Sequence, residues 1–136
     1  MFGFRSGCGL ARAARCLIPV ASLLATGCVS VTTAEGHRLR SGDPEFADYV
    51  ERVFRLQNEA ASALAFALES VALDSDRYAA LESAETDLLE FCDGLNDIAA
   101  ARQRGERPGS RRGLAAARAA PQCETAALAA TRVLQD

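Results

Sequence analysis

Five cysteines, one histidine and a run of carboxylates are the residues of this 136-residue chain whose types suit chemistry. A cysteine can attack as a thiolate, bridge to a second cysteine or ligate a metal. Cys8 and Cys16 lie among the first arginines, Cys28 ends a short apolar run, and Cys92 and Cys123 stand far apart in the alanine-rich remainder. No Cys-x-x-Cys pair occurs, and His37 is the only histidine, so a metal set has no neighbours to draw on. The same single histidine leaves no Ser–His–Asp set to build, and no Gly-rich phosphate loop is present. The residues argue against an enzyme and imply no cofactor and no metal.

Cys28 closes the run Leu23-Leu24-Ala25-Thr26-Gly27-Cys28. Arg5, Arg12 and Arg15 precede an apolar stretch from Leu17 to Leu24, and small residues follow it. This pattern resembles a bacterial lipoprotein signal peptide with its lipobox. The resemblance implies cleavage between Gly27 and Cys28, a lipid on the Cys28 sulfur, and a mature protein held on a membrane outside the cytoplasm. Val29 stands where an Asp usually signals inner-membrane retention, which implies the periplasmic face of the outer membrane. The apolar segment from Cys16 to Gly27 is 12 residues, against about 20 for a spanning helix. Residues 1–27 are therefore expected to be removed, taking Cys8 and Cys16 with them.

The mature chain from Cys28 has 109 residues, enough for one small domain. It contains no lysine, 12 arginines and 18 acids, a net charge of −6. Residues 43–97 carry −11 and residues 102–118 carry +5. The basic stretch is short and lacks aromatic residues to stack on bases, so nucleic-acid binding is not expected.

Residues 28–42 show no sustained period and read as a flexible tether, reaching about 50 Å when extended. Residues 43–136 read as the folded domain. Asp43-Pro44-Glu45 is a helix start: Asp suits the cap, Pro the first position, Glu the positive helix end. From there to about Leu73 one stripe runs through Phe46, Tyr49, Val50, Val53, Leu56, Ala60, Leu64, Ala67, Leu68 and Val71. Asp48–Arg52 and Glu51–Arg55 have i, i+4 spacing. Asp74-Ser75-Asp76 supplies a turn and a cap. A second helix is expected from Asp76 to about Arg104, with Tyr78, Leu81, Ala84, Leu88, Phe91, Cys92, Leu95 and Ala99 on its stripe. Gly94 inside it costs about 1 kcal/mol relative to Ala. Residues 105–113 read as a loop. A third helical region runs from Leu114 to about Leu134, divided at Pro121 because an internal proline loses a hydrogen bond and clashes with the turn before it. These elements predict an all-α, up-down bundle of three to four helices.

Cys92 and Cys123 both fall on apolar stripes. Small exported domains often need a bridge, and one here closes a loop of about 32 residues, worth about 3.5 kcal/mol by loop entropy. A structural disulfide is the expectation. For binding, the candidates are Phe66, nearly opposite the main stripe of its helix, and the acidic stripe of Glu82, Glu90, Asp93 and Asp97. An exposed aromatic with an acidic neighbourhood suits a basic protein partner. The composite expectation is a lipid-anchored periplasmic binding or scaffold module whose partner is an envelope protein. A pilotin-like chaperone of a secretion-system outer-membrane subunit is one alternative; an envelope enzyme or enzyme inhibitor is another.

Overall fold

Chain order is two short strands followed by three long helices: β1 (Ser30–Thr32), β2 (Arg38–Arg40), α1 (Pro44–Ser70), α2 (Asp76–Gln103) and α3 (Ser110–Gln135). This computed structural model describes residues 29–73 and 75–136. The leader 1–27, Cys28 and the turn residue Asp74 lie outside the described residues.

The three helices bear out a mostly helical fold, and the strand pair departs from its all-α form, lying within the segment 28–42 that the sequence reads as a tether. β1 and β2 pair antiparallel, with Ser30 opposite Arg40, Val31 opposite Leu39 and Thr32 opposite Arg38. The turn between them is closed by Thr33 N–H donating to the His37 carbonyl and Gly36 N–H donating to the Thr33 carbonyl, both at 2.9 Å. Gly36 sits at φ 87°, a conformation that costs glycine little and other residues more. Alternation gives each strand one apolar side chain, and both point to the helices. Val31 is 6 % exposed and Leu39 packs on the core. A two-stranded hairpin is marginal alone, and the helices supply the surface it needs: β1 rests on α3 and β2 on α1.

Helix α1 begins at Pro44 and buries Tyr49, Val53, Gln57, Ala60 and Leu64, a spacing of three and four that keeps one face inward. Asp43 occupies the cap position, but its side chain makes no capping bond; its backbone carbonyl accepts from Phe46 N–H at 3.1 Å. Ser75 caps α2 through its side chain, accepting from Tyr78 N–H at 3.0 Å. The Glu51–Arg55 pair forms at 3.8 Å between exposed side chains. Arg52 instead lies over the Tyr49 ring, 5.9 Å from its centroid, a cation–π arrangement.

Helix α3 differs from expectation twice. It starts at Ser110 and not Leu114, so Arg111 and Arg112 belong to its first turn. It also runs unbroken through Pro121. Proline there withholds the N–H that would meet the Ala117 carbonyl, at a cost of about 3 kcal/mol. Ala116, Ala117, Ala120, Cys123, Ala126, Ala127 and Ala130 are all buried on that helix, and this continuous face offsets the local loss.

α2 and α3 run antiparallel. Arg77 near the start of α2 donates to the Val133 and Leu134 carbonyls at the end of α3, where free carbonyls need donors. Further along, Arg112 approaches Asp97 at 4.0 Å. Between these contacts Gly94 meets α3 closely: a Cβ built on it would stand 3.3 Å from the Ala119 Cβ and 3.7 Å from the Ala116 Cα. That close approach explains a glycine inside a 28-residue helix. Each helix touches both others, and one core joins all three to the hairpin.

Candidate functional site

The Cys92–Cys123 bridge forms, with a Cα–Cα distance of 4.6 Å. Cys92 is 1 % exposed and Cys123 fully buried, so the bond ties α2 to α3 inside the core. Beside it lies a residue that stripe reading passed over, Gln57 of α1, which is 3 % exposed. Its amide nitrogen donates to Asn96 Oδ1 of α2 at 2.6 Å, and its Oε1 stands 3.4 Å from Cys123 Sγ. A bridged sulfur carries no proton, so the second approach is a packing contact and not a donated hydrogen bond. Buried amides need partners, and the Gln57–Asn96 pair joins α1 to α2 at the level of the bridge.

A second polar node seats the hairpin. Glu124 of α3 accepts from the Tyr49 hydroxyl at 2.9 Å and from the Ala34 N–H at 2.6 Å, both on Oε2. One carboxylate oxygen thus gathers α1, α3 and the hairpin turn. Burial, then the hydrogen bond and charge of Glu124, push the Tyr49 phenol well above its ordinary 10.0, with Arg52 acting weakly against them. A phenol held protonated in this way is a donor and not a base. The node is a clasp in its chemistry, with the Tyr49 hydroxyl as donor and Glu124 Oε2 as acceptor.

An open cleft of about 480 Å³ adjoins this clasp, lined by Glu35, His37, Glu45, Asp48, Arg52 and Glu124 among others. His37, placed in a tether by sequence, stands here at 3.6 Å from Glu35, both side chains largely exposed. Among the described residues no three His, Cys, Asp or Glu side chains are grouped to hold a metal ion. Among them also, no helix is long and apolar enough to cross a membrane.

Phe66 is 74 % exposed on α1. It follows buried Leu64 by two positions, about 200° round the helix. Glu82, Glu90, Asp93 and Asp97 are all exposed along one side of α2. Leu89, 59 % exposed, falls within that acidic side and was not singled out by sequence. Asp97 lies 4.0 Å from Arg112. No contact joins Phe66 to the acidic stripe in the ion pairs or hydrogen bonds of the described residues. Phe91, expected on the core stripe, is 40 % exposed instead. It lines an apolar groove of about 400 Å³ with Pro121, Thr125, Ala126 and Ala129, between α2 and α3. Phe91 precedes the inward Cys92 by one position, about 100° round the helix, which sets it at the edge.

In comparisons with family models, with curated proteins and with solved structures, nothing matches this chain.

Proposed function

We propose that the chain is a lipid-anchored envelope protein, held by a lipid on Cys28 at the periplasmic face of the outer membrane, and that its three helices form an up-down bundle serving as a small binding or scaffold module. The observation that carries this reading is the buried Cys92–Cys123 bridge. Disulfides persist outside the reducing cytoplasm, and a chain exported by the leader at residues 1–27 meets that condition. Phe66 and the stripe of Glu82, Glu90, Asp93 and Asp97 are the surface proposed for a basic envelope-protein partner: the aromatic supplies burial and the acids speed encounter. The pilotin-like alternative finds support in the apolar groove beside Phe91, which offers a place for a helical segment on α2 and α3.

The test is acylation. Metabolic labelling with a fatty-acid analogue should mark the wild type and not Cys28→Ser, and the variant should leave the membrane fraction with its fold intact. Label persisting on Cys28→Ser, or none on the wild type, ends the lipoprotein reading. Crosslinking of the acylated protein in its own envelope, followed by affinity purification, would then name the partner.

A further inference from the structure

We propose that the outward face of the β1–β2 hairpin docks on an anionic phospholipid surface and lays the domain flat against the membrane at its anchor. The proposal rests on the reading that Cys28 carries a lipid.

Length of chain is the first ground. Val29, the residue after Cys28, already packs against the core. Its N–H donates to Ser41 Oγ at 3.2 Å and its carbonyl accepts from Ser41 N–H at 2.8 Å. A single peptide link, about 3.8 Å between Cα atoms, separates the lipid-bearing residue from folded structure. A free 15-residue tether would reach about 50 Å; the hairpin consumes nearly all of that reach. An acyl chain on Cys28 therefore holds the hairpin side of the domain among the headgroups.

Charge selects the posture. Strand alternation sends Val31 and Leu39 to the helices and Ser30, Thr32, Arg38 and Arg40 the other way. Those four are exposed and carry two positive charges and no negative one. Neither arginine makes an ion pair with a described residue. Guanidinium groups match phosphate oxygens in shape and charge. The acids nearby lie elsewhere: Glu45, Asp48 and Glu124 line the cleft that opens beside the inward residues Thr33 and Leu39, and Glu35 is the one acid of the hairpin, in its turn. A hairpin standing on its open end would bring Asp43 to the phosphates. Lying flat brings Arg38 and Arg40 there instead. Near an anionic surface each arginine is worth about a 5-fold gain in partition, about 30-fold for the pair.

The experiment uses the acylated protein purified from membranes, with Thr32→Cys carrying a spin label on the outward face. Cys28 is blocked by its lipid, and Cys92 and Cys123 by their bridge, so the label has one target. Vesicles are phosphatidylcholine alone or mixed with phosphatidylglycerol. In the mixed vesicles a water-soluble relaxation agent should reach the label several-fold less than in phosphatidylcholine vesicles. The pair Arg38→Glu and Arg40→Glu should restore access while the protein stays vesicle-bound. Vesicle-bound protein whose label is equally accessible in both lipids, with and without the substitutions, overturns the docking and leaves the anchor standing. Folded protein with no acyl group on Cys28, and no retention by either vesicle, overturns the anchor itself and the docking with it.

Discussion

Between α2 and α3 the chain is joined by a covalent bond and by small side chains in close contact. Between the hairpin segment and the helices it is joined by one phenol, one carboxylate and three aliphatic side chains, those of Val29, Val31 and Leu39. The first region owes its closeness to Gly94, Ala116, Ala119 and the Cys92–Cys123 bridge. The second owes its place to Tyr49, Glu124, Val29, Val31 and Leu39. The helix pair is thus held by a covalent link, while the hairpin is held to the helices by noncovalent contacts alone.

The largest break in that comparison should come from the bridge. Cys92→Ala with Cys123→Ala should lower unfolding free energy by about 3.5 kcal/mol, the loop-entropy value, read by denaturant titration. A variant as stable as the wild type would move the weight of the α2–α3 seam onto packing alone. Next is Gly94→Leu, which forces atoms into the space held by Ala119 and the α3 backbone. It should destabilise by about 1–3 kcal/mol, and a gain in stability would show that the helices can part there.

Tyr49→Phe removes one donor from Glu124 and should cost about 1–2 kcal/mol, with faster amide exchange confined to residues 29–42. The same residue sets a pH signature. Because folding raises the Tyr49 phenol, the stability it contributes is intact below its ordinary 10.0 and falls as pH climbs beyond that value. Tyr49→Phe should flatten that alkaline decline relative to the wild type, and parallel curves would show that other groups cause it. Smallest of all, Phe66→Ala should shift stability by no more than about 0.5 kcal/mol, since the ring is 74 % exposed. A larger loss would seat Phe66 in the core and remove it from any partner surface.

The long helices were legible because their signal is long. Tyr49, Val53, Ala60 and Leu64 recur at four and seven residues, and Leu81, Ala84, Leu88 and Leu95 at three, four and seven, with Ser75 marking a start. Cys92 and Cys123 were legible as a pair by falling on those faces. The hairpin was not, because three-residue strands offer Val31 and Leu39 as their only inward side chains, too few to make a period. Gly36 in Thr33-Ala34-Glu35-Gly36-His37 was the available sign of a turn. Pro121 misled in the other direction: a local penalty was read without the buried alanine face that outweighs it. Gln57 and Glu124 were invisible for a different reason. Each acquires its role from partners 39 to 90 residues away, Asn96 for one, Tyr49 and Ala34 for the other, and no local pattern announces such a meeting.

Residues 29–42 are folded structure beside Cys28 and not a free leash. Hydrogen exchange followed by mass spectrometry across that segment measures this directly. The Ser41 amide, bonded to the Val29 carbonyl, and the Thr33 amide, bonded to that of His37, should exchange at least about tenfold slower than free-chain rates in native protein. Exchange at free-chain rates throughout residues 29–42, with the helices protected, would contradict a folded hairpin and return that segment to a tether.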